Sequence, residues 1–189
     1  MNLLSTLTDS TPRLTWDPAP LGWEALPGGG IRVQVPPDAD YFRDPAGKVI
    51  RDSAPFLSLP VSGDFVARAL VRPSFRSTYD SGCLMVRADA EHWAKLCFES
   101  TDFGTTAAVS VVTNGVSDDA NGVDVTVPEL WLQVCRVGGS FGLQYSLDGA
   151  AWRMVRVFRL DLPAEVRVGL VTQCPVGPGT TVEILHLSV

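Results

Sequence analysis

Short apolar runs separated by glycine and proline recur along the whole chain, and they constrain its fold more than any other feature. The chain contains 14 prolines and 17 glycines among its 189 residues. No apolar segment repeats with a helical period, whereas many runs alternate apolar and polar residues. Such alternation is typical of antiparallel strands with one buried face. The sequence therefore predicts an all-β protein.

Twelve strands are predicted, with turns such as Asn114-Gly115 and Asp148-Gly149 between them. They span residues 31–35, 56–59, 65–71, 82–88, 92–99, 106–113, 123–127, 130–137, 141–146, 152–160, 166–172 and 181–188. This number of strands exceeds that of an immunoglobulin domain and fits a jelly-roll β-sandwich of two curved antiparallel sheets. A length of 189 residues with 46% apolar content predicts one domain over 1–189.

The charge of the chain excludes some classes of partner. A net charge of −6 and the absence of a basic stripe argue against nucleic-acid binding, which depends on Lys and Arg neutralising phosphates. The first residues, MNLLSTLTDSTPRL, lack the features of a signal peptide, and no apolar stretch approaches membrane-spanning length. We therefore expect a cytoplasmic protein without a membrane partner, whose four cysteines are thiols.

The segment 79–99 predicts a hairpin with unusual outward side chains. Alternation points Leu84, Val86, Ala88, Ala94, Leu96 and Phe98 toward a core. It leaves Arg87, Trp93, Lys95 and Glu99 together on the opposite face. An indole can stack on a sugar ring while the polar groups bind its hydroxyls. The alternative is a solvated Lys95–Glu99 ion pair beside a Trp93 that caps the edge of the core.

Three further patterns concern a cysteine pair, a long connection and an oxygen-rich loop. If the hairpin pairs residues whose numbers sum to 180, then Cys83 lies directly opposite Cys97. The connection over residues 40–55 is long enough to cover the concave sheet, with Tyr41, Phe42 and Tyr79 near the rim of a groove. The loop over residues 117–124 is rich in oxygen ligands but lacks the closing glutamate of an EF-hand, so we predict no metal site.

Catalysis is the weaker interpretation. Jelly-roll glycosidases need two carboxylates at alternate positions of one strand, and no strand here has them. Neither His92 nor His186 lies in a nucleophile motif. The competing hypothesis is an enzyme acting on a sugar or sugar phosphate, with Glu99 as acid or base and Lys95 or Arg87 holding an anionic group.

Several motifs together resemble the "regulation of enolase" family of concanavalin A-like domains. They are Trp93-Ala94-Lys95 with Glu99, the dipeptide Ser117-Asp118, and the hairpin that runs from Tyr145 to Trp152. The resemblance covers nearly the whole chain and implies a lectin-like jelly roll, associated in some members with a glycolytic enzyme. This chain has Asp119 and Ala120 where relatives carry an aromatic residue after Ser-Asp.

The sequence thus predicts a non-catalytic module that binds a carbohydrate or a protein on its concave face, without a cofactor. The expected partner is a carbohydrate ligand or a metabolic enzyme, and the regulation of such an enzyme stays open as a third function. The predicted ligand-binding residues are Arg87, Trp93, Lys95, Glu99, Tyr79 and Asp118.

Overall fold

A computed structural model of the protein describes residues 1–7 and 13–189. After a short 3-10 helix, Leu3–Thr6, the strands are numbered in chain order. The first sheet contains, from edge to edge, β1 (Thr15–Trp16), β6 (Phe56–Ser62), β15 (Glu165–Gln173), β8 (Ser81–Arg87), β9 (His92–Ser100), β10 (Thr106–Asn114) and β11 (Val116–Asp124). The second contains β14 (Arg153–Arg159), β13 (Ser140–Ser146), β12 (Leu130–Val137), β7 (Phe65–Pro73), β16 (Thr180–Ser188), β3 (Ile31–Val35) and β2 (Gly22–Ala25).

The core lies between these two antiparallel sheets and follows the predicted alternation. On β7 the residues Phe65, Ala67, Ala69 and Val71 are buried, and the residues between them are less buried and point away from the core. The apolar even-numbered residues of β8 and β9 (Leu84, Val86, Ala94, Leu96 and Phe98) are all fully buried. The prediction of an all-β sandwich is therefore confirmed.

A small third sheet forms within the long connection between β3 and β6. It pairs β4 (Tyr41–Arg43) with β5 (Ile50–Asp52), and we call it the covering hairpin. Neither of its strands pairs with a strand of the two large sheets.

One predicted strand is wrong. Residues 123–127 were expected to pair, but the strand in this region is β11, Val116–Asp124. Its Asp, Asn and Gly residues are typical of turns. Pairing with β10, from Asn114↔Val116 to Ala107↔Asp124 with one irregularity, extends them nevertheless. Strands β1, β2, β4 and β5 were not predicted, because two to four residues are too few to show an alternating pattern.

The hairpin of β8 and β9 has the predicted register. Cys83 lies opposite Cys97, and Arg87 lies opposite Trp93. The described part of the chain contains no helix of the length and apolarity needed to cross a bilayer. Residues 8–12, which fall in the N-terminal segment considered above for a signal peptide, lie outside the described residues.

Candidate functional site

The concave face of the first sheet carries the predicted group of side chains. Within the ladder of β8 and β9, Arg87 pairs with Trp93, Lys95 with Met85 and Glu99 with Ser81. All of these positions are odd-numbered, so their side chains leave the sheet on the face opposite the core. The structure thus places Arg87, Trp93, Lys95 and Glu99 on one side, in two different environments.

The covering hairpin lies over part of this face. Tyr41 is only 1% exposed, and its ring packs edge-on against Trp93 at 6.1 Å and against Phe56 at 6.4 Å between ring centroids. Arg43 fastens the hairpin to the β10–β11 turn, since its Nε donates to the Gly115 carbonyl oxygen at 2.9 Å. The expectation that the connection over residues 40–55 covers the concave sheet is met, but Tyr41 is buried beneath the cover and does not lie at a rim.

This cover removes two of the predicted binding residues from the site. Trp93 is 1% exposed, and its indole N–H donates to the Ala90 carbonyl oxygen at 3.2 Å. Its ring therefore presents no free face for stacking on a sugar, which corrects the prediction. The Arg87 guanidinium lies over the Tyr41 ring at 5.3 Å, while its Nε donates to the Asp89 carbonyl oxygen. Both residues hold the cover in place.

The part of the concave face beyond the hairpin forms a pocket of about 240 Å³. Its lining combines polar, aromatic and aliphatic residues: Asp40, Phe42, Tyr79, Lys95, Glu99, Val111, Asp119, Gln173 and Pro175. Three of the six predicted binding residues therefore meet here, namely Lys95, Glu99 and Tyr79. Sequence reasoning missed Asp40, Asp119 and Gln173, which come from three different strands or connections.

Lys95 is held by the protein at the wall of the pocket. Its Nζ donates to the Tyr41 carbonyl oxygen and to Gln173 Oε1, both at 2.7 Å, and lies 3.7 Å from Asp40 Oδ1. Burial alone would lower the pKa of Lys95. The pKa is raised instead, because the neighbouring Cys97 thiol and Asp40 carboxyl group favour the ammonium form. Lys95 is thus a fixed cation whose hydrogens point at protein acceptors.

The two carboxyl groups facing Lys95 have fewer contacts. Among the described residues, the Glu99 side chain makes no hydrogen bond, although it is only 8% exposed. Burial raises the pKa of Glu99 well above its ordinary value, against the attraction of Lys95. Desolvation likewise raises the pKa of Asp119, whose strand position lies across Val111 from Lys95. The pocket therefore holds carboxyl groups that retain protons more readily than usual.

Tyr79 reaches the pocket from a strained turn. Its φ is +68°, in the left-handed region that non-glycine residues rarely adopt. The buried Asp80 stabilises the turn, since its Oδ2 accepts hydrogen bonds from the backbone N–H groups of Arg76 and Ser77 at 3.0 Å. The phenol is 38% exposed. Backbone strain of this kind costs about 1–3 kcal/mol and is concentrated at functional sites.

Asp118 does not belong to the pocket, which corrects the prediction. Because β11 is a strand, neighbouring residues point to opposite faces, and Asp119 rather than Asp118 lines the concave side. Asp118 faces the second sheet, where its Oδ2 accepts from Arg156 Nη2 at 2.8 Å. The oxygen-rich segment 117–124 forms no metal cluster, and none of three or more suitable side chains occurs in the residues that the structure describes.

The two sheets and the concave pocket define a lectin-like β-sandwich. A family model described as "Protein of unknown function (DUF1349)" matches residues 16–189, and the chain belongs to this family. It is 33% identical over 130 residues to "Regulation of enolase protein 1" of Saccharomyces cerevisiae, an alignment that covers 68% of this chain. The matched region spans about 65% of the length of that yeast protein. The resemblance inferred from the motifs is thereby confirmed.

Solved structures support the fold. A functionally unknown protein from Saccharomyces cerevisiae superposes with a TM-score of 0.86 and 29% identity, over 93% of this chain and 95% of the other. Lectin I-B4 from Griffonia simplicifolia gives 0.59 with 10% identity, over 99% and 96%. A GH43 protein from Bacillus licheniformis gives 0.71 with 12% identity, over 98% of this chain and 38% of the other. The predicted concanavalin A-like jelly roll is confirmed.

Proposed function

We propose that this protein is a non-catalytic binding module whose concave pocket takes a single neutral sugar or a similar small polyol. The observation that carries the proposal is the Glu99 carboxyl group, which lines the pocket without a hydrogen-bond partner among the described residues and whose oxygens are not fully buried. A ligand hydroxyl offers both a donor and an acceptor to such a carboxyl group, whichever protonation state it has.

The aromatic lining supports the same class of ligand. Phe42 and Tyr79 lie at the pocket together with Glu99, which gives apolar surface for the C–H face of a ring beside groups that bind hydroxyls. Pockets for drug-sized molecules occupy about 300–1,000 Å³. A pocket of about 240 Å³ therefore suits one small ring rather than a polysaccharide chain.

Charge argues against a sugar phosphate in this pocket. The lining contains three carboxyl groups, Asp40, Glu99 and Asp119, and a single cation, Lys95. The Lys95 ammonium already donates to Tyr41 and Gln173, so little of it is available for an anion. A phosphate would therefore lack a free cation, and each ionised carboxyl group of the lining would add like-charge repulsion of the kind that rejects wrong partners.

The test is a thermal-shift screen of neutral monosaccharides against their phosphates, followed by titration calorimetry of any ligand found. A ligand at 100 times its Kd stabilises by about 2.7 kcal/mol, which corresponds to a rise in Tm of about 5–10 °C. Tyr79→Ala should weaken binding about 5- to 150-fold, as expected for the loss of one stacking ring. The matched control is Phe103→Ala, which removes an aromatic ring that is 79% exposed and lies outside the pocket lining.

Several outcomes would contradict the proposal. Stronger stabilisation by a sugar phosphate than by its neutral sugar would refute the charge argument. Equal losses with Tyr79→Ala and Phe103→Ala would place the ligand elsewhere. Turnover of a bound glycoside that stops in Glu99→Gln would replace the binding module with an enzyme.

A second candidate function is binding to a metabolic enzyme. It is favoured by the yeast relative named "Regulation of enolase protein 1". Sedimentation of the protein with purified enolase tests it directly, and a shared boundary that persists with Tyr79→Ala would indicate a surface other than the pocket. Independent sedimentation of the two proteins would argue against this candidate.

A further inference from the structure

Two buried thiols lie side by side under the proposed pocket. Cys83 and Cys97 occupy facing positions on β8 and β9, both are 0% exposed, and both are free. Their odd-numbered positions place both sulfurs on the concave face, in the row between Glu99 and Lys95. The other two cysteines, Cys135 and Cys174, lie on β12 and after β15.

The ladder places this cysteine pair at a site suited to a disulfide. The Ala88 N–H donates to the His92 carbonyl oxygen at 3.0 Å, and the Ser100 N–H donates to the Asp80 carbonyl oxygen at 3.1 Å. Both are hydrogen-bonded facing pairs, and such pairs alternate with non-hydrogen-bonded ones. Along the ladder, the cysteine pair is an odd number of residue pairs away from each of these two hydrogen-bonded pairs. It is therefore a non-hydrogen-bonded pair, with its Cα atoms about 4.5 Å apart. Disulfides span Cα separations of about 4.4–6.8 Å.

The surroundings distinguish the two sulfurs. Cys83 Sγ lies 3.5 Å from Ser81 Oγ and 3.8 Å from Gln173 Oε1. Burial would raise the pKa of Cys83, but a hydrogen bond from Cys97 and the charge of Lys95 lower it. The pKa of Cys97 is raised well above its ordinary value by burial and by its thiol neighbour. Cys83 is therefore the better nucleophile and Cys97 the proton donor beside it.

We propose that Cys83 and Cys97 form a reversible disulfide when the protein meets hydrogen peroxide, an oxidant of about the size of water. The Cys83 thiolate attacks one peroxide oxygen, the O–O bond breaks, and hydroxide leaves. The resulting sulfenic acid is attacked by the Cys97 sulfur, which forms the S–S bond and releases water. Two thiols thus lose two electrons and two protons, and one peroxide becomes two waters. This site is independent of the ligand proposed above.

The experiment uses the whole protein in a Cys135→Ser background. Trypsin cleaves after Arg76, Arg87, Lys95 and Arg136, so Cys83 and Cys97 fall on separate peptides, and the substitution leaves one cysteine on the second peptide. After treatment with peroxide, free thiols are alkylated in denaturant, the protein is digested with trypsin, and the peptide masses are measured by mass spectrometry. We expect one cross-linked pair of peptides, which disappears with dithiothreitol and is absent in both Cys83→Ser and Cys97→Ser.

The melting temperature provides a second measurement. A disulfide that closes a loop of about 15 residues without distortion should raise the Tm of the oxidised protein by about 6–12 °C. Full alkylation of Cys83 and Cys97 after oxidation would overturn the proposal, as would oxidation of Cys97 to sulfinic acid or a cross-link to Cys174. A Tm that falls on cross-linking would show that the native ladder does not accommodate the bond, and would also overturn it.

Discussion

Replacement of Lys95 by methionine should destabilise the fold rather than simply alter the pocket. The substitution keeps most of the length of the side chain but removes the donor that serves the Tyr41 carbonyl oxygen and Gln173 Oε1. Asp40, 3.7 Å away, loses its cation. Each unsatisfied acceptor costs about 1–3 kcal/mol, and breaking a buried charge pair costs about 3–5 kcal/mol. We expect the free energy of unfolding to fall by about 3–5 kcal/mol.

Urea unfolding measures this change. With a denaturant slope of about 2–3 kcal/mol per molar, the midpoint should fall by about 1–2.5 M. The chain offers a matched control, because its only other lysine, Lys48, is exposed. Lys48→Met should change the free energy of unfolding by no more than about 0.5 kcal/mol.

A double-mutant cycle tests the contact itself. Gln173→Leu combined with Lys95→Met removes donor and acceptor together. The double variant should therefore lose less free energy of unfolding than the sum of the two single variants, by about 0.5–3 kcal/mol. If Lys95→Met costs less than about 1 kcal/mol and the two changes are additive, the ammonium is not held as described. It would then be available to an anion, and the argument for a neutral ligand would fail with it.

Three further predictions follow from the same structure. Gly169→Ala should lower the free energy of unfolding by at least about 3 kcal/mol, because the added Cβ would lie 2.0 Å from a backbone oxygen of the neighbouring strand. Gly142→Ala, at an open position, should lower it by less than about 1 kcal/mol, and urea unfolding measures both changes. Burial raises the pKa of Glu99 in the folded state, so folding takes up protons. The free energy of unfolding should therefore decline as the pH rises from about 4.5 toward 7, and a Glu99→Gln variant with the same decline would contradict this. Arg43→Ala should speed amide exchange in the covering hairpin, while Arg159→Ala, at an exposed ion pair, should not.

The sequence was most informative where the structure is locally determined. Alternation identified the buried face of the β8–β9 hairpin, and its short turn fixed the register that places Cys83 opposite Cys97. Strand β11 was misplaced because its Asp, Asn and Gly residues favour turns, and only pairing with β10 extends them. That shift is also the reason why Asp119, rather than Asp118, reaches the pocket.

The composition of the site depended on contacts distant in sequence. Placing Trp93 and Lys95 on one face needed only the period of a strand. Whether these side chains are available to a ligand depends on Tyr41, more than fifty residues earlier in the chain. The Tyr41 ring packs on Trp93, and the Tyr41 carbonyl oxygen accepts a hydrogen bond from Lys95. The contribution of Gln173 likewise required the order of strands in the sheet, which the alternating pattern does not encode.

In the function proposed above, the covering hairpin would let one scaffold serve different ligands. Its strands are paired with each other and not with the large sheets, so the segment between β3 and β6 can change in length or composition without disturbing the ladders beneath it. A shorter segment would uncover Trp93 and leave a wide open trough, while a longer one would close the cavity further. Exchange of this single insertion between related chains should therefore transfer ligand preference and leave the sandwich intact.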